Sequence, residues 1–227
     1  MLGFSYIDAL ALSTFCLAWA SYHFVMEGGW SETRTLNRRM DRYRLQWMQH
    51  MLNRDNRIVD AQIIAALQNG TAFFASTSLL AIGGSLAFLQ STEAVLALFR
   101  DMPFGPANRT MWEMKTLGLA LIFANAFFKF AWAYRLFNYT TILLGSTPPP
   151  SEAATPQAQA HVVKIAHMAI LSGRHFNRGQ RSFFFAIAYL GWYINGWALM
   201  AATLAIFLVM INRQIGPDSR WVLGDAE

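Results

Sequence analysis

A lysine within an apolar helix is the residue of this chain whose chemistry is hardest to explain as packing. Lys129 is the one charge in the apolar run of residues 116–134, with Asn125 one helical turn before it, so the two share a helix face. At about 1.5 Å per residue, Lys129 sits roughly 20 Å from the outer end of that span. An ammonium group there costs about 2.5–3.5 kcal/mol to insert, unless its stem snorkels to the surface. A carboxylate such as Glu27 would also relieve it. The chemistry such a group offers is attraction of an anion or the lining of a polar pathway. Asp8, near the start of the first apolar run, is a shallower candidate of the same kind. The amides Gln62, Gln68, Asn69, Asn125 and Asn195 complete the intramembrane polar set. They either bond between helices or line a pore, and interhelical bonds averaging about 0.6 kcal/mol make packing a sufficient reason for them.

Catalytic constellations are absent from the sequence. His23, His50, His161, His167 and His175 form no metal-ligand spacing with a nearby carboxylate, and Cys16 is the only cysteine. Neither a phosphate-binding glycine loop nor a serine elbow occurs. No catalytic residue, metal ligand or cofactor is therefore expected. An embedded enzyme would need Asp8, His23 and Glu27 to converge at one depth.

The elements that position these residues are apolar helices. Residues 61–90 contain no charge, and about 20 such residues suffice to cross the hydrocarbon layer. Within them Gln62, Asn69, Ser76, Gly83 and Gln90 recur every seven positions, with Gly70, Thr77 and Gly84 one residue along. Such a row reads as a helix-packing seam, because small residues permit close backbone approach and amides bond across helices. Asn69 falls at about the depth of Lys129, so a pathway through the protein requires the two to face each other or a shared cavity. Composition agrees with membrane residence: 14% of residues are charged and 55% hydrophobic, with a mean hydropathy of +0.27, whereas soluble domains carry about 25% charge. The net charge of +5 rests on basic residues beside apolar runs, which points to topology and anionic headgroups and away from nucleic acid.

The expected fold is all-α, a single membrane domain over 1–227 with four transmembrane helices at about 4–26, 62–90, 116–138 and 182–211. The first lacks the basic leader of a secretory signal and reads as a retained span. Gly28-Gly29 stops it. The 27–60 connection carries seven arginines, and the 139–181 connection holds Lys164, Arg174, Arg178 and Arg181; the other connection and the tail hold two basic residues each. By the positive-inside rule both long connections are cytoplasmic and both termini lie outside, in a multi-pass protein of the cell inner (plasma) membrane. In the first connection Leu36, Met40, Tyr43, Trp47, Met48, Met51 and Leu52 follow helical spacing, an amphipathic helix. Its stripe either sinks into the membrane surface, with Arg38, Arg39, Arg42, Arg44 and Trp47 at the headgroups, or packs on the protein itself or a second subunit. In the second connection residues 145–157 read as a proline-rich linker, and Gly173 as the end of a helix over 158–172.

Taken together, the four spans, the Arg44-Leu45-Gln46-Trp47-Met48 run, the Gln68-Asn69-Gly70 and Phe74-Ala75-Ser76-Thr77 blocks and the Asn177-Arg178 pair resemble the domain of unknown function family 599, integral membrane proteins of bacteria and plants. The resemblance runs from Tyr6 to about Asn212. It implies a multi-pass membrane fold and no particular activity. Two readings follow. One is a homo-oligomeric, channel-like protein whose polar face conducts a small ion or solute. The other is an accessory subunit that binds anionic lipid or a protein partner through its arginine-rich helix.

Overall fold

The computed structural model describes residues 5–27, 35–99 and 109–216. Gly28-Gly29, Arg34, the proline-marked stretch at 103–106, Trp221 and the side chain of Glu27 lie outside the described set. Within it the chain is all-α: α1 (Tyr6–Glu27), α2 (Leu36–Leu52), α3 (Ile58–Gln90), α4 (Thr92–Phe99), α5 (Arg109–Gly145), α6 (Pro156–Tyr189) and α7 (Gly196–Ile215). Three of these, α3, α5 and α7, are long and apolar enough to cross a membrane, which marks a membrane protein. Contacts divide the chain into two compact units, one formed by Met1–Leu36, Ser78–Asn125 and Arg181–Glu227, the other by Asn37–Thr77 and Ala126–Gln180.

In the first unit, the span expected at 182–211 is two helices. The chain leaves α6 through a short 3-10 turn, Leu190–Tyr193, and restarts as α7 behind Asn195, whose side-chain oxygen accepts from the backbone N–H of Ala198 at 2.8 Å. Gly191 permits the turn, since a Cβ there would lie 2.8 Å from the carbonyl oxygen of Ala198. Three contacts fix the direction of the returning helix. Gly196 abuts Ile7, the Tyr22 hydroxyl lies 3.5 Å from the carbonyl of Met210, and Phe15 packs edge-on against Phe185 and Tyr189 at 5.6 and 5.4 Å. Thus α7 runs parallel to α1 and antiparallel to the end of α6. The start of α1 and the end of α7 lie at opposite ends of this unit, and the region expected as one span at 182–211 holds the end of α6, the turn and most of α7. Ala11, Phe15, Leu119, Phe185, Ala186, Tyr189, Trp192 and Leu199 fill the core.

In the second unit, the stripe of α2 is part of a protein core. Met48, Met51 and Leu52 are buried with Ile64, Phe137, Leu144, Val162, Ile165 and Ala166. These three side chains belong to one buried cluster with residues of α3, α5 and α6 of their own chain. Gly173 does not end α6, which runs through it. A Cβ on Gly173 would lie 2.6 Å from the Arg44 guanidinium, so the residue is a notch that admits a side chain of α2. The proline-rich stretch is also built in: a 3-10 turn at Pro150–Glu152 and the buried Ala153 seat it, and Thr155 caps α6 by accepting from Ala158 N–H at 3.2 Å. Phe74 stacks on Phe130 at 5.4 Å, with Phe176 edge-on to both. Gly179 makes room for that ring, as a Cβ there would meet Phe130 at 2.7 Å.

Because Met51 is wholly buried, Met51→Ala should destabilise the detergent-solubilised protein by about 2–5 kcal/mol, while the exposed Tyr43→Ala should change stability by less than about 0.5 kcal/mol. Denaturant unfolding followed by far-UV circular dichroism measures both, and equal small effects would return the stripe to the membrane surface.

Candidate functional site

The polar residues singled out by type and spacing divide into those the fold engages and those it leaves on the outside. Asp8 is engaged. With Ser5 it forms a capping box at the start of α1: the Asp8 N–H donates to the Ser5 hydroxyl oxygen at 3.1 Å, and the Asp8 carboxylate accepts from the Ser5 N–H and hydroxyl. Its other oxygen accepts from the Trp192 indole N–H at 2.7 Å. Lys115, 4% exposed, donates to the Trp192 backbone carbonyl at 2.6 Å and lies 5.1 Å from the centre of the indole ring. The sequence reading missed Lys115 and Trp192 as Asp8's company. Beside them the Tyr193 hydroxyl lies 3.0 Å from that of Thr116, and the Trp112 and Tyr193 rings meet at 4.9 Å. This arrangement pins the 3-10 turn. Asp8 and Lys115 each hold one side of Trp192.

Asn125 is exposed, but its amide donates to the Ser182 hydroxyl at 2.8 Å and so ties α5 to α6 within the first unit. Asn195 is the cap of α7. In the second unit, the Gln68 amide N–H donates to the Asn138 side-chain oxygen and joins α3 to α5. Asn69, the neighbouring position, is exposed, and Lys129 is half-buried. No hydrogen bond or ion pair joins these two, or either of them to another described residue.

The row Gln62, Asn69, Ser76, Gly83 and Gln90 is exposed at every position, and a Cβ added to Gly70, Gly83 or Gly84 would meet nothing within 4 Å. The buried row of α3 has the same seven-residue period, two residues on: Ile64, Thr71, Ser78 and Ser85. Thr71 and Ser85 turn their hydroxyls back to the carbonyls of Leu67 and Ala81, which makes them compact and internally satisfied. The seam therefore faces away from the rest of its own chain.

Several basic side chains of the second unit serve its interior. Arg44 and Arg174 share Asp41 at 2.8 and 3.0 Å, joining α2 to α6, and burial pulls the Arg44 pKa down against the pull of Asp41. Asp60, fully buried, accepts from the Trp47 indole at 2.7 Å and from Arg54 at 2.6 Å. Arg57 closes the end of α5 by donating to the carbonyls of Thr147 and Pro148 at 2.8 and 2.6 Å. Of the residues expected at a lipid surface, Arg44 and Trp47 are thus tied to their own chain, Arg38 and Arg39 are half-buried with partners, and Arg42 is exposed. His23 is exposed and stands edge-on to Phe24, and among the described residues no three of His, Cys, Asp and Glu gather as metal ligands.

Loss of the Asp60 carboxylate leaves Arg54 and Trp47 without their shared acceptor. Asp60→Ala is expected to cost about 3 kcal/mol, the low end for breaking a buried pair because Arg54 is partly exposed, and Asp60→Asn to cost less. Unfolding midpoints of the two variants check this, and a wild-type midpoint for Asp60→Ala would reject the role.

Comparison with known proteins adds a family and no activity. No curated protein matches the chain, and no solved structure does. A family profile described as protein of unknown function, DUF599, matches residues 10–218, nearly the whole length, and the chain belongs to that family.

Proposed function

We propose that this membrane protein works as a homo-oligomer in which the Gln62-to-Gln90 row of α3 meets the same row of another copy, the polar seam between copies serving a small ion or solute. The exposure of that row carries the reading. Only 11% of the apolar window of α3 is buried, against 44% for α5. Serine and threonine can satisfy themselves against their own helix, but the amide of Asn69 needs a partner and hydrocarbon supplies none, while Gln62 and Gln90, about 42 Å apart along the helix, mark the two ends of the span. A second copy offers both the amides and the small residues that let backbones approach. The accessory-subunit reading has less support, since Met48, Met51 and Leu52 of the α2 stripe are buried in their own chain and, of Arg38, Arg39, Arg42 and Arg44, Arg42 alone is exposed.

In the membrane, we place the start of α1 outside and the end of α7 inside, in the cell inner membrane. With the chain reversing at 190–195, Arg213 at the end of α7 joins the basic connections on the cytoplasmic side, and the positive-inside asymmetry increases.

A Cys16→Ala background carrying Ser76→Cys should form disulfide-linked dimers when native membranes are treated with a thiol oxidant such as copper phenanthroline. Leu121→Cys, also exposed but on an apolar face of α5, should not. Asn69→Leu should weaken self-association and lower ion flux through proteoliposomes. A monomer by light scattering, with Ser76→Cys linking no better than Leu121→Cys, overturns the proposal.

A further inference from the structure

We infer that the exposed face of α5 around Trp132, Arg135 and Tyr139 is a binding site for the headgroup of an anionic phospholipid. The observation is a change of chemistry along one helix face. Met114, Leu117, Leu121, Phe128 and Trp132 recur at helical spacing and are all exposed. From Met114 to Trp132 the rise is about 27 Å, close to the thickness of a hydrocarbon layer. Asn125 interrupts this face in sequence only, because its amide is turned to Ser182. At one end the apolar face gives way to the exposed Arg109–Glu113 ion pair, and at the other to Arg135 and Tyr139.

Arg135 differs from the paired arginines of its unit. Arg44, Arg54 and Arg174 are neutralised by Asp41 or Asp60, whereas Arg135 has no carboxylate within ion-pair distance among the described residues. It is nevertheless held in place. Its Nε–H donates to the Tyr139 hydroxyl at 2.6 Å, and its guanidinium lies 5.5 Å from the centre of that ring. The two terminal nitrogens are therefore presented, oriented and uncompensated, at the level where a lipid-facing stripe ends. A planar guanidinium in that position matches a phosphate diester through paired N–H donors. Trp132, 47% exposed one turn deeper, suits the glycerol and upper acyl region. A membrane phospholipid is the occupant this geometry favours, because the stripe leading to the cation is as long as the acyl layer and a free anion would have no use for it.

The test uses the full chain in detergent, delipidated, with phosphatidylglycerol or phosphatidylcholine added and bound lipid counted by native mass spectrometry. Wild type should retain phosphatidylglycerol in preference to phosphatidylcholine. Arg135→Gln should weaken that retention about tenfold, the loss of one charge-assisted contact. Tyr139→Phe, which keeps the charge and removes the acceptor that orients it, should give a smaller loss and serves if Arg135→Gln does not fold. Arg42→Gln, on α2, should bind as wild type does. Equal retention of the two lipids, undiminished binding by Arg135→Gln, an equal loss in Arg42→Gln, or full displacement by millimolar inorganic phosphate would each overturn the assignment.

Discussion

Backbone groups buried away from water must find partners, and the reversal between α6 and α7 is where this chain meets that requirement outside a helix. Residues 190–195 leave carbonyls and N–H groups that no regular helix would bond. The answer is local and dense. Ile194 and Asn195 donate back to the Gly191 carbonyl, Lys115 reaches across to that of Trp192, and the Asn195 side chain takes the Ala198 N–H in the first turn of α7. Asp8 then fixes the indole of Trp192. The placement of α7 beside α1 and much of the aromatic core of the first unit follow from this knot of bonds. The two charges near that end, Asp8 and Lys115, are used for it.

The second unit meets a different constraint with a similar device. Its helices carry many cations, and burying them requires acceptors. Asp41, Asp60 and the carbonyls at 147 and 148 supply these, each placed where a helix begins, ends or crosses another. Glycine does related work. Gly173 and Gly179 sit inside α6 without breaking it, because a neighbour's guanidinium or phenyl ring occupies the space a side chain would take. Packing outweighs the roughly 1 kcal/mol intrinsic penalty of each.

Much of this was legible in the sequence, and what was not has identifiable causes. Helical class, membrane residence and the amphipathic spacing of α2 follow from hydropathy and period alone. The break at 190–195 does not, since Leu190, Trp192, Tyr193 and Ile194 are as apolar as their neighbours, and hydropathy is blind to direction. Only Gly191 and Asn195 mark it, and each is common inside membrane helices. The two rows of α3 show a second limit. Gln62-Asn69-Ser76 and Ile64-Thr71-Ser78 share one period, so spacing reveals that a special face exists and not which face the chain itself covers. Lys129 drew attention by its charge, whereas Trp47 and Asp60, thirteen residues apart across a turn, gave no sign of their bond.

The burial of α2 has a consequence for the order of biosynthesis. Met48, Met51 and Leu52 are translated early, but most of their core partners lie at 137–169, so the stripe emerges roughly a hundred residues before the surfaces that cover it. Throughout that interval the nearest apolar phase is the bilayer surface, and an amphipathic, arginine-rich helix is well made to rest there. The spacing that suggests a membrane-bound helix would then describe a stage in the life of the chain, before α6 arrives to claim it.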